Sequence, residues 1–100
     1  MASRSRDYRE AAAKRIGENL RLQRRGLLMS QEALAFRAGL HRTEVGMLEH
    51  GARLPRIDTM VKLATSLEAP IGDLVEGLAW VPAHELPGGQ FIAPRRGLGG

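Results

Sequence analysis

Guanidinium groups dominate the side chains of this sequence that can do chemistry. Most of its arginines fall within the first 56 residues. The planar fork of an arginine donates in parallel to phosphate oxygens or to the acceptor edge of guanine. Other chemistries find little support. His41, His50 and His84 stand apart, without the spacing that brings imidazoles to one metal. Ser30 and Ser66 lack a nucleophile context, and no glycine-rich phosphate loop is present. There is no cysteine, hence no disulfide framework and no thiolate site, which fits a cytoplasmic protein. The chain therefore reads as a binding protein and not an enzyme, with no catalytic residue, metal or cofactor.

Charge placement narrows the partner. Residues 1–29 carry eight basic and three acidic side chains, a net +5, whereas residues 57–87 carry a net −4. The stretch between them is +1 and the last thirteen residues are +2. A basic front and an acidic back aim one face at a polyanion. No run approaches the ~20 apolar residues of a membrane span, and the basic N-terminus lacks the apolar core of a signal peptide. One hundred residues suffice for one small domain.

The elements that must position these charges centre on residues 30–51. Ser30 is a good N-cap, and Leu34, Ala35 and Ala38 follow at helical spacing. Gly39 can take the left-handed conformation that a sharp turn needs. Leu40 follows as an apolar plug. A second helix is predicted from about Arg42 to His50, with Val45 and Leu48 inward and Gly51 ending it. Together these features describe a helix-turn-helix. A long first helix is predicted over about Arg6 to Arg25, with Tyr8, Ala12, Ile16 and Leu20 forming one stripe. Residues 1–5 read as a frayed arm, in which Arg4 can follow a phosphate backbone, as can Arg6 at the helix start. A fourth helix is expected over Ile57 to Leu67, with Ile57, Met60, Leu63, Ala64 and Leu67 inward. A fifth is expected over Ile71 to Leu78, started by Pro70. Ile16, Leu20, Leu34, Val45, Leu48, Leu63 and Leu74 are the expected core. The fold is thus an all-α, five-helix domain over residues 1–79. Residues 80–100 form a tail in which Gly88-Gly89, between Leu86 and Phe91, reads as a β-hairpin turn. The last residues, 95–100, read as disordered.

The pattern Ser30-Gln31, Leu34-Ala35, Gly39-Leu40, Val45, Leu48-Glu49 and Gly51 resembles the DNA-binding domain of phage repressor/Cro-type (XRE-like) regulators. The resemblance covers roughly Ile16 to Leu78. It implies a transcriptional regulator of prokaryotic type that binds double-stranded DNA, a repressor rather than an activator. By this resemblance Arg42, Thr43, Gly46 and Met47 face bases. Arg42 suits guanine O6 and N7, and Thr43 and Met47 suit a thymine methyl. Gln31, Arg53 and Arg56 are implied as phosphate contacts, and Arg24 and Glu49 as a structural ion pair. His41 stands where the family usually caps with Ser or Thr, and Gly46 where it often has Ser.

One helix-turn-helix reads only a short site, and specific repressors pair half-sites one helical turn apart. A homodimer on a palindromic operator is therefore expected. Its interface would draw on Leu74, Leu78, Trp80 and Phe91. A different class of function is also open: a protein-interaction module such as an antitoxin or regulatory subunit, with a protein partner. A restriction-modification controller is a subtype of the first reading.

Overall fold

A computed structural model describes the backbone of residues 2–94 and the side chains of residues 9–94. The expectations for the side chains of Arg4, Arg6 and Tyr8, and for residues 95–100, lie outside these limits. Four helices follow one another: α1 (Ala2–Gly26), α2 (Gln31–Ala38), α3 (Arg42–Glu49) and α4 (Ile57–Ser66). A two-stranded antiparallel sheet, β1 (Ala79–Val81) and β2 (Gln90–Ile92), comes last among the described residues. α1 starts at Ala2, so residues 2–5 of the expected arm are helical. Beyond its end Leu28 takes a left-handed φ of +56°, and the Met29 N–H closes on the Arg24 carbonyl at 3.1 Å.

All seven expected core residues are buried. Met29, Met60, Ala64 and Leu67 complete the apolar centre, and Leu40 packs against it. Ile57 is a correction. It is 70% exposed, because the inward face of α4 is carried by Met60, Leu63 and Ala64 one turn later.

The fifth helix is a second correction. Only one 3₁₀ turn forms, Ile71–Asp73. The Asn19 amide on α1 donates to the carbonyls of Leu74 and Glu76 at 3.0 and 2.9 Å. In an α-helix over residues 71–78 the Leu74 carbonyl would accept from the Leu78 amide, but that amide bonds the Val75 carbonyl instead, at 3.1 Å. Gly77, with φ +85°, then turns the chain directly against the Arg15 guanidinium. Leu74 still reaches the core and is 0% exposed, while Leu78 packs on its edge. Burial of these residues is met without the helix. Leu74 therefore has no surface for a second copy, contrary to its expected place in a dimer interface.

The tail forms a sheet, but with different strands from those expected. Trp80 pairs with Phe91, Ala79 with Ile92 and Val81 with Gln90. Leu86 lies in the connection, residues 82–89, together with Pro82 and Pro87, which cannot donate to a ladder. The Trp80 and Phe91 rings meet edge to face, with centroids 4.9 Å apart. Gly89 lies flat against the Trp80 ring, where a Cβ would collide. β2 rests on α1, and Arg15, only 6% exposed, donates to the Pro94 carbonyl. The tail is thus fastened to its own domain.

Candidate nucleic-acid interface

The short α2 and α3 are set by their caps. The Ser30 hydroxyl accepts from the Ala33 N–H at 3.0 Å. Gly39 closes α2 at φ +68°, and its amide and that of Leu40 return to the carbonyls of Phe36 and Ala35. His41 begins α3. Its Nδ1 accepts from the Thr43 N–H at 3.1 Å, doing the work of the usual hydroxyl. Val45 and Leu48 point into the core, which rolls the opposite face of α3 outward. Arg42, Thr43 and Met47 are exposed on that face, and Gly46 is half-buried beside the Gln31 side chain. A shallow groove is lined by all four, with Gln31 at its edge.

Under this face lies a buried ion pair. Arg24 Nε and Nη2 donate to the two carboxylate oxygens of Glu49, at 2.5 and 2.9 Å. Arg24 Nη1 donates to the Met29 carbonyl at 2.7 Å, and Gln31 Nε2 donates to Glu49 Oε1 at 3.0 Å. The two charged residues are 8% and 7% exposed. Burial alone would raise the Glu49 pKa. Hydrogen bonds from Arg24 and Gln31, with the nearby charges of Arg24 and Arg21, outweigh it and hold the carboxyl below its ordinary value. The hydrogen bond to Glu49 raises Arg24 in turn, against the opposing effect of burial. The bidentate fork fixes α1 to the end of α3, and Gln31 ties α2 to the same carboxylate. Two orientations are thereby set at once, that of the α3 face and that of the Gln31 amide.

Two of the implied phosphate contacts are engaged by carboxylates. Arg53 lies 3.5 Å from Glu44 on α3, and Arg56 lies 3.3 Å from Asp58. Both arginines remain well exposed, so each can exchange a carboxylate for a phosphate at small cost. Arg21 and Arg25 line the groove with Arg42. The sequence reading missed them. The available signal was their four-residue spacing, which puts both on one face of α1. It also missed Gly17. A Cβ there would strike the backbone oxygens of Leu48 and Glu49, so Gly17 is what lets α1 lie close to α3. Among the described residues no cluster of potential ligands could hold a metal ion.

Comparison with known proteins gives one family match, a helix-turn-helix profile over residues 20–74. The control protein C.SmaI of Serratia marcescens is 37% identical over 60 residues, covering 60% of this chain and 71% of that protein. The crystal structure of the restriction-modification controller protein C.AhdI from Aeromonas hydrophila superposes with a TM-score of 0.61 at 39% identity. That match covers 62% of this chain and 94% of the controller. A structure described as the hypothetical transcription factor NHTF from Neisseria gives a TM-score of 0.62 at 28% identity, covering 74% and 79%. The strands of the tail lie beyond the family match.

Proposed function

This chain belongs to the helix-turn-helix family, and from that premise we propose that it is a sequence-specific, double-stranded-DNA-binding transcriptional regulator. The observation that carries this reading is the outward face of α3. Arg42, Thr43, Gly46 and Met47 line one groove beside Gln31, braced from below by Arg24 and Glu49. The N-terminal half of α3 enters the major groove, as the second helix of such motifs does. Arg42 donates to guanine O6 and N7, while Thr43 and Met47 meet thymine methyls. Gly46 lets the backbone come close. Gln31, Arg53 and Arg56 hold phosphates, which set register without reading sequence.

The protein acts in the cytoplasm as a homodimer on a palindromic operator, and represses by occupying it. Of the residues expected at the dimer contact, Trp80 retains the most exposure, at 43%. A controller role in a restriction-modification system is the narrower version, favoured by the two controller relatives. An interaction module would dock its partner on the apolar residues of the tail. That tail packs on α1, which weakens the case for a protein partner.

Two variants test the base-reading assignment. Arg42→Ala should relax preference at one guanine of each half-site by about 1–3 kcal/mol. Arg53→Ala should weaken matched and mismatched duplexes alike and flatten the salt slope by about one unit. Titrations at several salt concentrations separate the two. Equal weakening of both duplexes by Arg42→Ala would remove it from base reading.

A further inference from the structure

We propose that Arg21 and Arg25 form a second phosphate-binding surface on α1, one that grips the duplex backbone beside the groove occupied by α3. The proposal rests on the DNA-binding reading above and extends its footprint beyond the helix-turn-helix.

The arginines of the described residues divide by what they touch. Arg15, Arg24, Arg37, Arg53 and Arg56 each have a carbonyl or carboxylate partner. Arg9, Arg21, Arg25 and Arg42 make no such contact; the last three line a single groove, while Arg9 lines another beside Arg53. Four arginines, counting Arg24, line this groove with Glu49 as its one carboxylate. That carboxylate is already taken by two donors from Arg24 and one from Gln31. Arg21 adds its field to Glu49 without bonding it.

Fold stability gives little reason for this arrangement. Like charges one turn apart disfavour a helix. The C-terminal end of the α1 dipole favours Arg25, which lies in the last turn, but that effect fades before Arg21. A polyanion removes the repulsion and supplies the missing acceptors. The spacing also suits one: Arg21 and Arg25 share a face of α1, and Gly17 holds that helix against the end of α3. A duplex backbone running past α3 meets both side chains. Guanidinium forks match phosphate oxygens there, and no base is read.

The probe is a mixed-sequence duplex two helical turns long, titrated by fluorescence anisotropy over a series of salt concentrations. Arg21→Gln and Arg25→Gln should each reduce the slope of log affinity against log salt by about one unit. Arg21→Lys should keep the wild-type slope, since the charge remains. Lys62→Gln on α4 removes the same charge elsewhere and should leave the slope unchanged. Circular dichroism should show a wild-type fold for all four. Unchanged slopes for both glutamine variants, with normal wild-type binding, overturn this proposal alone. An equal loss for Lys62→Gln does so too, because it reduces the effect to net charge. A wild-type chain that does not bind the duplex sinks the DNA-binding reading and this surface together.

Discussion

Glu49 is the residue on which the interface turns. It sits beside the surface proposed to bind phosphate, and its charge is spent inward on Arg24 and Gln31. Removing either partner of a buried pair strands the other, at a cost of roughly 3–5 kcal/mol. Arg24→Ala and Glu49→Ala should therefore lose similar stability, and the double variant less than the sum. Strictly additive losses in thermal melts would mean that the contact contributes nothing. The pair also sets a pH dependence. The Glu49 carboxyl is held below its ordinary value in the fold. Its stabilisation is full above the unfolded value of about 4.3 and is lost as pH falls through the lower folded value. Arg24 stays charged throughout. Wild-type melting temperature should thus fall more steeply on acidification than that of Glu49→Gln. The pairing was legible in the sequence because Arg24 and Glu49 matched a family pattern. The Gln31 bridge between α2 and the same carboxylate was not, since no spacing rule predicts a contact among three elements.

At the scale of elements, two glycines make opposite predictions for the same change. At Gly17 an added methyl would meet the carbonyl oxygens of Leu48 and Glu49. Backbone cannot yield there without parting α1 from α3, so Gly17→Ala should cost about 1–3 kcal/mol. At Gly46 the methyl would find only the Gln31 side chain, at 3.6 Å. Gly46→Ala should raise stability by up to about 1 kcal/mol through helix propensity. It should weaken DNA binding if that backbone lies on the groove floor. Chemical denaturation of both variants checks the two signs. The helix-turn-helix was readable because its signals are local: Ser30, Gly39, and the inward Val45 and Leu48. The fifth helix was misread for the opposite reason. Ile71, Leu74, Val75 and Leu78 have helical spacing, but the Leu74 carbonyl that would accept from Leu78 is taken by Asn19, far away in sequence, and the Leu78 amide bonds Val75. Strand partners in the tail failed likewise. Gly88-Gly89 suggested a tight hairpin with Leu86, while the pairing reaches back to Ala79–Val81 across residues 82–89.

For the whole molecule, the tail and the charge asymmetry divide the surface. The tail covers part of α1, and Arg15 depends on the Pro94 carbonyl for its anchoring contact. Truncation after Ala79 removes the Pro94 acceptor and opens Arg15 to water, so it should cost about 1–3 kcal/mol for that charged hydrogen bond. Sedimentation of the same truncated chain reports whether Trp80 and Phe91 also serve the proposed dimer. A truncated protein that melts as the full chain does would show that the tail does not brace α1. One groove, lined by no residue of the tail, holds the α3 face with Arg21, Arg25 and Arg42. Specific recognition by one short helix is limited in reach, which is why a homodimer reading one operator is proposed. Selection of bound sequences from random duplex DNA tests this most directly. The account predicts enrichment of an inverted repeat whose half-sites lie about 10 base pairs apart, centre to centre, with a guanine in each half. A bound pool with the same sequence composition as the input would contradict it.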